Sequence, residues 1–264
     1  MALAPKLIDP VAFTAIRLAS GVAVLVPLAA LTSERRPTDG RPGSWRSGAA
    51  LFVYAVAFSL AYVTLDTGVG ALILFGAVQI TMIGTGLWEG ERPSVLEWLG
   101  LLAAMAGLVY LVLPGISAPN PLGATLMTAS GIGWGVYSLR GRGQSAPVAA
   151  TAGNFARALP FCFVALALAL RTLHVSPRGI ALATTSGALT SGLGYVIWYL
   201  TLRHLTATRA AIVQLAVPVI AAAGGVVVLA EEPTARLAIA SVLILGGVAA
   251  AILARKGDRS VGRR

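Results

Sequence analysis

The sequence predicts an all-α membrane protein, a polytopic helical bundle of two inverted-topology repeats: a ten-helix design with nine helices present. Three observations carry that expectation. Of the 264 residues, 57% are hydrophobic and only 11% charged, against roughly 25% charged in a soluble domain of ordinary make-up. Apolar stretches of spanning length alternate with short polar breakers. And one stretch is written twice. ALILFGAV (71–78) is echoed by AAIVQLAV (210–217), Glu91, Pro93 and Gly107 recur as Glu231, Pro233 and Gly247, and Arg17 recurs as Arg157. The last four pairs are each 140 positions apart, and a near-constant offset of this kind marks an internal repeat.

A spanning helix needs about 20 mostly apolar residues. Nine such segments follow in order, at 10–32, 48–65, 68–88, 94–113, 121–139, 147–171, 178–202, 207–230 and 234–254. The breakers between them are rich in Pro, Gly and charge, as in ERRPTDGRPGS (34–44), EGERP (89–93) and EEP (231–233). Proline recurs at helix starts, where its missing N–H costs little. A net charge of +10 would suggest nucleic acid in a soluble protein. Here the bases lie mainly between apolar segments, where they orient the chain in the bilayer. Fourteen Lys and Arg fall on one side of this layout and four on the other. The richer side, with the C-terminus, is therefore expected in the cytoplasm and the N-terminus outside. The single Cys162 sits in an apolar run and implies neither a disulfide nor a metal site.

The repeat accounts for the odd number of spans. Shifted back by one repeat, the helix at 121–139 would precede Met1, so the first copy is expected to lack its first helix. A start placed too far downstream is the expected cause, and a natural nine-helix chain the alternative. Five helices per copy is an odd number, so the two copies face opposite ways. The expected division is 1–114 for the first copy, 121–256 for the second and 257–264 for a basic cytoplasmic tail.

Four stretches now carry a family resemblance: DPVAFTAIRLASG (9–21), GALILFGAVQ (70–79), GERPSVLEWLGLLAAMAG (90–107) and ATRAAIVQLAVPVIAAAGGVVVLAEEP (207–233). In these the chain resembles the EamA-type members of the drug/metabolite transporter superfamily, over nearly its whole length and twice. The second copy keeps the family's mid-helix proline as Pro218; the first departs from the pattern, with Gln79 in its place. The resemblance implies ten helices in two inverted repeats around a central substrate cavity, in the bacterial inner membrane. Inverted repeats fit alternating access by rocking of one part against another.

Candidate site residues follow from polarity within spans. Arg17 and its counterpart Arg157 are costly inside a membrane and are expected to face the bundle interior, where they could bind an anionic part of a substrate; the bland reading is that they snorkel and anchor their helices. Asn154, three residues before Arg157, shares its helix face and is read as a cavity neighbour or an interhelical hydrogen bond. Gln79 and Gln214 are amides within spans. Trp134, Tyr195 and Trp198 are the aromatic candidates for a pocket of apolar walls and few polar groups, against a lipid-facing or interfacial role. Pro218 frees a backbone carbonyl that can face a cavity. Asp66, Glu91 and Glu231 lie at helix turns, as caps and docking residues first and gates second. No carboxylate stands deep in a span, so proton coupling has no support. The glycines of 84–90, 131–135 and 187–194 are expected to allow close helix packing.

The function expected is that of an integral inner-membrane transporter moving a small metabolite or drug-like solute, with export the expected direction. The alternative is a truncated, non-transporting subunit. A remote alternative is an intramembrane hydrolase, disfavoured because the only histidines, His174 and His204, fall at helix ends. No cofactor and no metal are expected. The expected partners are a small-molecule solute and membrane lipid, without nucleic acid, and a homodimer is one assembly left open.

Overall fold

In the computed structural model, proline and capping residues set the helix starts. The structure describes residues 7–32, 42–113, 118–171, 173–229 and 232–261, with backbone alone at 228, 229 and 255–261. Helix α1 (Pro10–Leu31) opens on Asp9, whose carboxylate accepts from the Val11 and Ala12 N–H groups at 2.8 and 3.3 Å. Ser44 caps α2 (Trp45–Ala61), and α3 (Thr67–Trp88) follows Asp66. At α4 (Val95–Val112) Ser94 and Glu97 form a reciprocal capping box. Asn120 with Pro121 starts α5 (Pro121–Gly141), and Pro147 starts α6 (Pro147–Ala169). Asp66 apart, these residues satisfy N–H groups that a helix start leaves orphaned, or bring none.

The last three spans are less regular. The seventh is α7 (Pro177–Thr185), a π-helical segment (Ser186–Leu193) and α8 (Gly194–Leu202) in succession. The eighth is α9 (Ala207–Val213), a 3₁₀ turn (Gln214–Ala216) and α10 (Val217–Leu229). Helix α11 (Ala235–Val261) ends the described chain. The seventh and eighth spans are thus each interrupted. Pro218 accounts for the second break, because it has no N–H to continue the ladder. Seven of these spans are long and apolar enough to cross a membrane among the described residues; α2 is apolar but has 17 residues, and α5, rich in glycine and hydroxyls, is not one of the seven.

The helices gather into two compact units. One holds residues 1–65 and 119–204, the other 66–118 and 205–264, so each takes helices from both copies of the sequence repeat. In the first unit α1 packs on its repeat counterpart α6, and α2 packs on α5 and α6. In the second unit α4 packs on its counterpart α11, and α3 on α9.

The α4–α11 pair has a reciprocal pattern. A Cβ at Gly100 would meet the Gly247 carbonyl, and one at Gly107 would lie 3.1 Å from the Ala240 carbonyl. Gly107 and Gly247 are counterparts, as are Gly100 and Ala240. Each contact is therefore the image of the other, the mark of a two-fold relation. The partner number falls as the α4 number rises, so the two helices run antiparallel. Small residues let them approach this closely. The glycines of 84–90 divide: a Cβ at Gly86 would lie 2.7 Å from Glu91 Oε2 and 3.1 Å from Ala207 Cβ, so α3 and α9 approach closely there, whereas Gly90 adopts φ +89° in the turn after α3 and Gly84 has nothing within 4 Å of its Cβ position.

Candidate functional site

Three spans of the first unit, α1, α2 and the seventh, meet at Arg17. It sits on the face of α1 turned to the unit's interior and is only 9% exposed. Its Nε donates to Ser191 Oγ at 2.6 Å and an Nη to the Tyr195 hydroxyl at 3.0 Å. Its guanidinium carbon lies 5.9 Å from the centre of the Tyr54 ring, contributed by α2. Among the described residues no carboxylate is within ion-pair distance of it. A buried cation held only by hydroxyls and a ring face keeps most of its capacity for an anion.

Aromatic rings extend from the guanidinium. Trp134 lies 4.9 Å from Tyr54 and 4.8 Å from Tyr195, centre to centre, and stacks on Trp198 at 6.5 Å. Trp134 and Trp198 are half-buried while Tyr195 is buried. The Trp198 indole donates to Ser138 Oγ at 3.0 Å, so its ring plane is held. The glycines of α5 serve this arrangement: a Cβ at Gly133 would lie 2.9 Å from the Tyr54 N, so α5 and α2 approach closely just where Trp134 and Tyr54 meet.

Asn154 and Arg157 belong to another part of the first unit. Asn154 is buried, accepts from the Ser44 N–H at 2.9 Å and donates to the Tyr199 hydroxyl at 3.3 Å. Tyr199 in turn donates to the Tyr137 carbonyl at 3.1 Å. Arg157 is half-buried and donates through one nitrogen to the Pro42 and Gly153 carbonyls at 2.7 and 2.9 Å. The two arginines paired by the repeat therefore have different surroundings. Arg17 faces rings and hydroxyls, and Arg157 ties the segment before α2 to α6.

The second unit holds the remaining candidates. Gln79 is buried and donates to the Ala211 carbonyl at 2.7 Å, in the turn just before the 3₁₀ break, while its Oε1 has no hydrogen-bond partner among the described residues. Gln214 sits at that break and donates to Met82 Sδ at 3.0 Å. Pro218 is half-buried in α10. Glu91 caps α9: its carboxylate accepts from Ala207 N–H at 2.6 Å, Thr208 N–H at 3.0 Å and the Thr208 hydroxyl at 2.9 Å. Asp66 is exposed at the N-cap position of α3 without a side-chain cap bond to the helix. Glu231 lies outside the described residues. No group of three or more His, Cys, Asp or Glu that could hold a metal occurs among the described residues.

Sequence reasoning missed Tyr54 and Ser191 as partners of Arg17. Tyr54 lies within an apolar run with nothing in its neighbourhood to single it out. Ser191 lies among the glycines of 187–194 that are expected to serve packing, and its bond to the guanidinium, from a position 174 residues away, is a matter of tertiary structure.

Helices of spanning length, duplicated along the chain, make this a multi-pass membrane protein. Residues 1–113 and 121–253 both match the EamA-like transporter family, and the chain belongs to that family. It is 50% identical over 256 residues to an uncharacterized protein of Pseudomonas aeruginosa, covering 97% of this chain and 88% of the relative. It is 26% identical over 199 residues to an uncharacterized transporter of Archaeoglobus fulgidus, covering 74% and 71%. The uncharacterized inner membrane transporter YedA of Escherichia coli is 27% identical over 126 residues, 48% of this chain and 40% of the relative. A crystal structure superposes with a TM-score of 0.75 at 21% identity, covering 94% of this chain and 89% of that one, which is a likeness of fold. The family and the transporter-named relatives point to a transporter rather than an enzyme.

Proposed function

We propose that this protein exports a small anionic metabolite with a flat apolar body across the bacterial inner membrane. The observation that carries the reading is Arg17, buried, with no carboxylate within ion-pair distance among the described residues, beside the Tyr54, Trp134, Tyr195 and Trp198 rings. An anionic group would take the guanidinium's donors in bidentate fashion, and the apolar body would lie against the rings. The mechanism is alternating access between two inverted repeats, 1–114 and 121–256. The reciprocal, antiparallel α4–α11 contact supports it, as does a site that draws α1 and α2 from the first repeat and α5 and α8 from the second. Carriers of this construction place substrate at the repeat interface. The C-terminus lies in the cytoplasm, on the strength of the fourteen-to-four split of basic residues.

The test compares metabolite release. The chain and an Arg17→Ala variant are expressed at matched membrane abundance in a bacterial host, and anions in the medium are quantified by mass spectrometry. Aromatic carboxylates are expected to accumulate several-fold with the unmutated chain and to fall to empty-cell levels with Arg17→Ala. No difference from empty cells across the panel refutes export, and an accumulation that survives Arg17→Ala refutes the role of the arginine.

A further inference from the structure

The π-helical segment at 186–193 has a position that its packing role does not explain. Its hydrogen bonds skip one residue further than those of an α-helix, so such segments are rare and tend to mark functional places. Here it is supported locally, by the Thr190 hydroxyl donating to the Ser186 carbonyl at 2.6 Å. It lies directly on the turn of α1 that carries Arg17. A Cβ at Gly187 would meet the Arg17 carbonyl and Ser20 Oγ, and a Cβ at Gly192 would lie 3.7 Å from Gly21 Cα. From this bed Ser191, fully buried, receives the Arg17 Nε–H at 2.6 Å.

Arginine has five N–H donors in a planar fork. Ser191 takes the Nε–H and Tyr195 takes one terminal N–H. The terminal end of the fork, the end that binds a carboxylate with two parallel bonds, is thereby left toward the tyrosines. We propose that Ser191 is a positioning residue: by holding Nε, it orients the guanidinium so that its two terminal nitrogens present an end-on pair of donors to a monoanionic substrate, and so sets the preference for an anion over a neutral analogue. This rests on the carrier reading above. Without the Ser191 oxygen, Nε–H loses its acceptor and the guanidinium turns to find another, which disorders the pair.

The test is binding to the purified full chain in detergent, followed by tryptophan fluorescence, with phenylacetate and its neutral isostere phenylacetamide as probes. The readout is the ratio of their dissociation constants. A loss of folded protein lowers the signal for both probes without moving this ratio. The unmutated chain is expected to prefer phenylacetate, and Arg17→Ala to abolish the preference. Ser191→Ala is expected to reduce the preference about tenfold, the size of one lost charge-assisted hydrogen bond. Ser191→Cys, nearly the same volume but a weak acceptor, should reproduce the loss, and Ser191→Thr, which keeps a hydroxyl, should restore the preference to within about threefold. A preference that Arg17→Ala removes but Ser191→Ala and Ser191→Cys leave intact overturns the role of Ser191 while the anion reading stands. An unmutated chain that binds the amide as well as the acid overturns both.

Discussion

Removing the Glu91 carboxylate should detach the start of α9. The structure gives this carboxylate three donors, the Ala207 and Thr208 N–H groups and the Thr208 hydroxyl, at 2.6, 3.0 and 2.9 Å. Two of these are orphan donors of a helix start, and a net hydrogen bond to a charged group is worth about 1.5–3 kcal/mol. An anion at a helix N-terminus adds up to about 1 kcal/mol at an exposed site. The bonds share one acceptor group and Glu91 is half-buried, so they do not add in full. Glu91→Ala should therefore cost about 3 kcal/mol, near a hundredfold in the unfolding constant. Glu91→Gln keeps one acceptor oxygen and should cost about half as much. Thr208→Val removes the hydroxyl bond alone and should cost about 1 kcal/mol. The assay is denaturant titration in detergent micelles, read by circular dichroism, with amide hydrogen exchange at Ala207 and Thr208 as the local readout. In the Glu91/Thr208 double-mutant cycle the two changes should couple by at least about 0.5 kcal/mol, because they share a bond. If Glu91→Ala stays within about 0.5 kcal/mol of the unmutated chain and leaves the two amides protected, the capping argument is wrong.

The remaining predictions use the same titration. Gly107→Ala should cost about 2 kcal/mol by overpacking, since its Cβ would lie 2.8 Å from Ile244 Cγ1 and 2.9 Å from Leu243 Cβ. Gly84→Ala, with open space at its Cβ position, should instead stabilise α3 by about 0.5–1 kcal/mol through helix propensity; equal effects at the two glycines would defeat the packing account. Gln79→Leu removes one made hydrogen bond together with one unpartnered buried oxygen, so the two terms oppose and stability should change by less than about 1 kcal/mol. A loss above about 2 kcal/mol would mean that Oε1 has a partner, such as an ordered water. Arg209→Leu leaves Glu97, buried and bonded to Arg209 at 2.8 Å, without its counter-charge, and should cost about 3 kcal/mol.

The sequence by itself determined the membrane class and the helical repeat. These are local or periodic properties. Apolar length sets a span, and a constant offset makes Arg17 and Arg157 counterparts. It also marked Arg17, Trp134, Tyr195 and Trp198, because polar and ring side chains stand out in an apolar run. It did not place the caps: Asp66 makes no cap bond to α3, and Glu91 caps α9, more than a hundred positions away. The sequence could not show that equivalent arginines do different work. Arg17 meets Ser191, 174 positions away, and Arg157 meets Pro42, 115 positions away; such partners depend on which helices pack together. Nor could it show the break in the seventh span, whereas Pro218 marks the one in the eighth. Hydropathy counts residues and ignores hydrogen-bond register, and the π segment lies on α1 at Gly187, where a Cβ would meet the Arg17 carbonyl. Only the tertiary structure, by bringing α1, α2, α5, the π segment and α8 together in one unit, decided that a buried guanidinium, two hydroxyls and a cluster of rings share one place.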